Sequence, residues 1–276
     1  MAVGRRKVDR GNASVKDVIH MWKYTKMVVL VALTAAVYAG TAVPFKGIQI
    51  IPGFAELRPA GAIPVVFGLI FGPAGAWGSG IGNLIGDFFG TLGIGSLPGA
   101  IGNFFFGFVG YKVWGNMGWF SSKGDLNIRT KKQVFEYILV AILSSATVAF
   151  IIAWGLELLK LLPFASIGAV IMTNNIIFSI AIGPFLLLLL YPRALRWGLY
   201  WKEIMDREML PAGLMPRVGA LCIWIGAVGG LIMGFLLSTG LYHGHLFQFA
   251  KGTAGGGVVV GALPFLILFF IGCLLS

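Results

Sequence analysis

Five apolar runs constrain this chain most: 27–43, 133–159, 166–191, 217–240 and 256–275. Each approaches or exceeds the roughly 20 residues that a helix needs to cross the hydrocarbon core of a bilayer. In lipid a backbone must satisfy its own N–H and C=O groups, so runs of this length read as helices. Composition agrees. Of the 276 residues, 58% are hydrophobic and 11% charged, and the mean hydropathy is +0.89. A soluble domain carries about 25% charged residues. The expected fold is an all-α polytopic membrane helix bundle.

Between 59 and 118 lies a glycine-rich apolar region that divides into 59–72, 74–92 and 95–117, with breaks at Gly72-Pro73 and from Gly93 to Pro98. Adding these pieces gives about eight transmembrane helices. Loop charge sets orientation, because Lys and Arg gather on the cytoplasmic side. With the N-terminus inside, 17 of the 21 basic residues fall on the inner side, and Lys46, Arg58, Lys160 and Lys251 on the outer. Both termini are therefore expected in the cytoplasm, at the cell membrane. The resulting plan is a basic N-terminal segment 1–26, a six-helix core 27–191, a basic linker 192–216 and a two-helix hairpin 217–276. The net charge of +11 is thus read as topology rather than as a nucleic-acid surface.

Ionisable and amide groups at membrane depth are costly and mark sites or pathways. Glu56 and Arg58 enter the second helix, Asp87 and Asn83 sit near the outer end of the third, Asn103 lies in the fourth, and Asn174 and Asn175 lie in the sixth. All fall at similar depth, facing outside, as in a site loaded from that side. Arg58 is expected to anchor a carboxylate or phosphate through its planar fork. Arg58 and Asp87 are expected to line one cavity, directly paired or bridged by solute. Trp77 and Phe104-Phe105-Phe106 could stack on a ring. Asn83 and Asn103 serve either the solute or an interhelical hydrogen bond. Glu157 and Lys160, one turn apart, form either an interfacial ion pair or part of the outer polar set.

No P-loop, Rossmann fingerprint or zinc-finger spacing is present, so no nucleotide-driven engine, cofactor or metal is expected. Cys222 and Cys273 lie in apolar runs as small buried side chains. Ser144 and Ser145 have no base nearby in sequence. His243 and His245 have neither cysteine nor acidic company and read as loop histidines. The chain is not expected to be an enzyme.

In the first helix, Ala32, Ala36 and Gly40 recur every fourth residue, as do Ala35 and Ala39. Small residues at this spacing admit a close helix, from a partner or from the same chain. The stripe resembles the Ala-x-x-x-Ala coupling motif of the S components of energy-coupling factor (ECF) transporters. The run from Ile63-Pro64 to Phe71-Gly72-Pro73-Ala74-Gly75 resembles that family's second hairpin. Gly82-Asn83-Leu84-Ile85-Gly86-Asp87 resembles the helix after it. The resemblance covers roughly 27–191 and implies a subunit that captures a vitamin or other small micronutrient. It also implies a transmembrane coupling subunit and cytoplasmic ATPases as partners, with Ala32, Ala35, Ala36 and Ala39 at the helix interface.

The expected function is therefore substrate binding for an ECF-type importer, within membrane lipid. The two helices beyond the six-helix pattern keep two other readings open. One is a scaffold subunit of a larger membrane complex. The other is a stand-alone ion-coupled carrier using Asp87.

Overall fold

The computed structural model describes residues 16–122, 126–206, 215–241 and 256–276. His243, His245, Lys123, Arg207, Lys251 and the first 15 residues lie outside the described residues. A short helix α1 (Lys16–His20) leads through a 3-10 turn into α2 (Thr25–Ala42), followed by a small antiparallel pair, β1 (Gln49–Ile51) and β2 (Ala55–Glu56). Gln49 stands opposite Glu56 in that pair. The glycine-rich region forms α3 (Ala62–Phe71), α4 (Pro73–Asp87) and α5 (Ser96–Val113). Then come α6 (Lys131–Leu158), α7 (Phe164–Ala181), α8 (Gly183–Arg196) and the short α9 (Trp201–Ile204). The hairpin consists of α10 (Pro216–Trp224), a π-helical turn Ile225–Gly229, α11 (Gly230–Ser238) and α12 (Gly256–Leu275). The chain is an all-α membrane bundle with almost no strand. Among the described residues, five helical segments are long and apolar enough to cross a membrane: α2, α6, α7, α10 through α11, and α12.

Local chemistry explains the boundaries. Thr130 caps α6: its hydroxyl accepts from the Gln133 backbone N–H while the Gln133 side chain reaches back, a capping box. Gly72 joins α3 to α4 at a positive φ of 56°, where a Cβ would strike the Trp201 ring, and Pro73 supplies the pre-set first helical position. The run 166–191, expected as one helix, is two. It breaks at Ile182, ahead of Gly183-Pro184, where the proline cannot donate into a continuing ladder. Gly183 admits the Tyr137 hydroxyl where a Cβ would collide with it. The expected C-terminal ends of the third and fourth helices also retract, from 92 to Asp87 and from 117 to Val113.

Glycines let α2, α3, α4 and α5 touch backbone to backbone. A Cβ on Gly68 would lie 2.2 Å from the Gly107 carbonyl oxygen, and one on Gly75 would lie 2.2 Å from that of Phe67. A Cβ on Gly78 would meet Thr34 at 2.4 Å. Without a hydrophobic drive between helices in lipid, such close packing supplies the attraction. The hairpin is seated the same way, with Gly230 under the Phe150 ring of α6 and Gly234 against Phe164 of α7. The Trp154 indole N–H donates to the Val259 carbonyl of α12 at 3.0 Å.

The small-residue pattern on α2 divides into two faces. Ala35 and Ala39 are buried, and the Ala35 backbone abuts Gly82 of α4, so these two pack inside the chain rather than facing a partner. Ala32, Ala36 and Gly40 are exposed, and nothing lies within 4 Å of where a Gly40 Cβ would be. The α2–α4 contact uses up one stripe and leaves the other free.

Candidate binding site

At one end of the bundle a cavity of about 400 Å³ opens between the β1–β2 turn, the C-terminus of α4, the 90–96 loop, the start of α5, the end of α6 and α7. Its polar lining includes Glu56, Arg58, Asn83, Asp87, Thr91, Ser96, Asn174 and Asn175, and its apolar side includes Phe54, Ile152, Leu156, Val170 and Ile171. Six of the seven residues expected to bind solute thus converge here. Asn103, the seventh, stands one layer behind. It donates to Asn83 Oδ1 at 3.1 Å and to the Gly99 carbonyl at 2.9 Å, and accepts from the Tyr38 hydroxyl at 2.9 Å. These contacts fix the Asn83 amide rather than reaching the cavity.

The charges form a connected chain. Arg58 Nη2 donates to Glu56 Oε1 at 2.7 Å and Nη1 to Asn83 Oδ1 at 2.9 Å. Lys46 Nζ lies 3.1 Å from Glu56 Oε1, 3.1 Å from Asp87 Oδ1 and 2.6 Å from Thr91 Oγ1. Asn83 Nδ2 donates to Asp87 Oδ2 at 3.3 Å. Arg58 and Asp87 therefore share one cavity but are not paired directly: the Asn83 amide touches both. Arg58 finds a carboxylate two residues back in Glu56, and its guanidinium lines the cavity while holding Glu56 and Asn83. Burial pushes the Glu56 carboxyl up, yet Arg58 and Lys46 outweigh it and hold it below the ordinary glutamate range.

Across the opening, Asn174 Nδ2 donates to the Glu56 carbonyl at 2.8 Å, and its Oδ1 accepts the Arg58 backbone N–H at 3.3 Å. One amide thus staples the loop to α7. Glu56 and Asn175, both in the cavity lining, carry side-chain polar atoms without a partner among the described residues. Glu56 Oε2 is buried with no hydrogen-bond partner, and the Asn175 amide, which also lines the cavity, makes no hydrogen bond.

Sequence reasoning missed Lys46, Tyr38 and Thr91. Lys46 entered only as an outer-side charge, and Tyr38 is hidden in an apolar helix. Their signal is weak: a lysine just past a span, and a hydroxyl at the depth of two asparagines. The aromatic residues expected to stack on a ring lie elsewhere. Trp77 donates its indole N–H to the Val18 carbonyl at 3.1 Å and packs edge-on to Phe104 at 4.9 Å, beside an apolar groove it shares with Phe105. Phe106 is fully buried. Glu157 accepts the Phe164 backbone N–H at the start of α7 instead of pairing with Lys160. Ser144 and Ser145 are buried in α6 with hydroxyls that lack a partner among the described residues.

At the other end of α5 a second buried cluster forms. Asp17 Oδ1 accepts from Lys112 Nζ at 3.1 Å and Oδ2 from the Tyr111 hydroxyl at 2.9 Å. It ties α1 to α5.

A family model described as "QueT transporter" matches residues 28–192, from α2 into α8, and leaves α9 to α12 outside the match. No curated protein and no solved structure shows a significant match. The matched segment holds α2, α4, α5, α6 and α7, which wall the cavity or support its wall, and it covers more than half of the sequence. The chain belongs to the QueT transporter family, a family of membrane-embedded substrate-capture S components of ECF transporters rather than of enzymes.

Proposed function

We propose that this S component captures a queuosine precursor from outside the cell, in the cavity walled by Glu56, Arg58, Asn83, Asp87, Asn174 and Asn175, and delivers it to an ECF module. The observation that carries the reading is a polar cavity of about 400 Å³ buried among apolar helices. That volume falls within the roughly 300–1,000 Å³ of small-molecule sites. The lining offers both donors and acceptors in charge balance, which suits a polar heterocycle better than a lipid or an ion. The substrate class comes from the family to which the chain belongs.

The exposed face of α2, with Ala32, Ala36 and Gly40, is read as the surface that meets the transmembrane coupling subunit. Both termini are read as cytoplasmic, from the 17-to-4 partition of basic residues, so the cavity opens outward. Asp87 is engaged by Lys46, Thr91 and Asn83, which favours a structural carboxylate over the coupling group of a lone carrier.

The test is binding and assembly together. The purified chain should retain a queuosine precursor, detected by mass spectrometry after denaturation, and should copurify with coupling subunit and ATPases. Ala36→Leu should reduce that copurification and leave precursor binding intact, since overpacking a tight contact costs about 1–3 kcal/mol. A chain that binds no queuosine precursor overturns the substrate reading.

A further inference from the structure

A second opening lies at the far end of α5 from the polar cavity. A groove of about 540 Å³ runs between the 116–120 loop, the start of α6 and the start of α10. Its walls are Met117 and Phe120 from the loop, Phe135 and Leu139 from α6, and Leu221 and Trp224 from α10. Phe135 and Leu221 are 46% and 58% exposed, so the groove is open along its side. The loop wall is preformed. Glu136 is buried, with one carboxylate oxygen accepting the Gly115 N–H at 2.8 Å and the other the Ser122 N–H at 2.7 Å. Further along, α6 closes on the hairpin, where Phe150 lies over Gly230 and Trp154 donates to Val259.

The groove changes chemistry along its length. Arg217 lines it at the first turn of α10, and Leu221 and Trp224 follow at helical spacing, deeper in the bundle. On α6, Lys131 precedes Phe135 and Leu139 at intervals of four residues, so it stands on the same face, one turn nearer the helix start. Arg217 and Lys131 are exposed and form no ion pair among the described residues, and the groove lining contains no acidic residue. Trp119, 95% exposed in the adjoining loop, is of the type that gathers at the membrane–water interface. Two exposed cations thus sit at interface depth above an apolar slot. Large side chains line that slot, rather than the small-residue stripe along which membrane helices approach one another. A helix about 10–12 Å across would also fill such a volume in roughly one turn. An acyl chain beneath a phosphate complements both parts of the groove, whereas a soluble anion or an apolar peptide complements only one.

We propose that this groove binds one glycerophospholipid with an anionic headgroup. Arg217 holds the phosphate, Lys131 stands beside it, and one acyl chain lies along Phe135, Leu139, Leu221 and Trp224. Arginine suits the role because its planar fork matches a phosphate, and basic pockets between membrane helices take anionic headgroups. A choline headgroup would bring a third cation to the mouth, so a net negative headgroup is preferred. The lipid fills the gap between the core and the hairpin, at the end of the bundle remote from the polar cavity.

The test places the full chain in phosphatidylcholine bilayers that contain a small fraction of a lipid with brominated acyl chains, either phosphatidylglycerol or phosphatidylcholine. Bromine quenches tryptophan on contact, and the Trp224 signal is the difference between the wild-type chain and Trp224→Phe. Brominated phosphatidylglycerol should half-quench Trp224 at about tenfold lower mole fraction than brominated phosphatidylcholine. Arg217→Gln should remove about fivefold of that preference, and Lys131→Gln a smaller part. Arg196→Gln takes away the same charge at the end of α8, outside the groove lining, and should leave the preference intact. Equal loss in Arg217→Gln and Arg196→Gln would assign the preference to net charge and overturn the site. Equal quenching by the two lipids would overturn it as well, and that comparison stands even where the charge variants fail to fold. Quenching of Trp224 by neither lipid would mean that protein fills the groove, and would likewise end the proposal.

Discussion

The bundle carries two buried ionic clusters, one near each end of α5, and they are built from similar parts to different ends. Near Gly99, Glu56, Arg58 and Asp87 line a cavity, Lys46 pairs with both carboxylates, and one carboxylate oxygen stays unpaired among the described residues. Near Lys112, Asp17 is fully buried with both oxygens engaged, one by Lys112 and one by the Tyr111 hydroxyl. Removal of charge from water is costly in both places, and both recover part of that cost by pairing. Only the first borders open volume. Buried charge by itself therefore does not make a cavity; the placing of the β1–β2 turn and α7 around it does.

The comparison can be broken most forcefully at the closed cluster. Lys112→Met strands the Asp17 carboxylate in a fully buried place. Loss of one partner of a buried pair costs about 3–5 kcal/mol, so thermal unfolding in detergent should shift strongly downward. Combining it with Asp17→Asn should recover part of the loss, since the two groups are in contact. Normal stability of the single variant would show that the cluster is wetter than its burial implies.

At the open cluster the same substitution should be milder. Lys46→Met leaves Glu56 its Arg58 partner and Asp87 its Thr91 and Asn83 contacts, in a cavity large enough to hold water. The expected destabilisation is about 1–3 kcal/mol, with weakened solute binding. A loss equal to that at Lys112 would erase the distinction between the two ends.

The smallest effect is in pH dependence, and the two ends should slope in opposite directions. Glu56 is held below the ordinary glutamate range, so its pairing stabilises the fold above that range, and the contribution is lost as pH falls through the folded value. Burial pushes Asp17 above the ordinary aspartate range despite the opposing pull of Lys112 and Tyr111. Its contribution is complete below the ordinary value and is lost as pH rises through the folded one. Each slope is at most about 1.4 kcal/mol per pH unit. Glu56→Gln should flatten the acid limb of a stability profile, and Asp17→Asn should remove the opposite slope. Parallel changes in the two variants would contradict the assigned directions.

The open cluster was more legible in the sequence than the closed one, for a physical reason. Glu56, Arg58, Asn83, Asp87, Asn174 and Asn175 stand out because polar groups are rare in lipid-crossing segments, and their depths follow from counting along helices. Asp17 and Lys112 look like ordinary membrane-edge charges until α1 folds back onto α5. Depth was readable, but which way each helix turns was not. Trp77 and Phe104 line a separate apolar groove rather than the polar cavity, and only one of the two alanine stripes on α2 is left exposed. The pairing of Arg58 with Glu56 depends on the loop conformation, which no periodicity encodes. The break of 166–191 at Gly183 was written in the Gly-Pro pair and masked by the apolar residues on both sides.

The glycine seam among α3, α4 and α5 bears on how this protein could change over generations. With Gly68 against the Gly107 carbonyl and Gly75 against that of Phe67, the spacing of these helices is set by main chain and has no side chain to trim. The relative positions of Asn83 and Asn103, which ride on α4 and α5, are thereby inherited as a fixed gauge. The β1–β2 turn and α7 carry Glu56 and Asn175 on elements without that seam. On the proposed capture reading, descent toward a different solute thus has two unequal routes: exchange of residues on the turn and α7, which is open, and respacing of the back wall, which is closed to single steps.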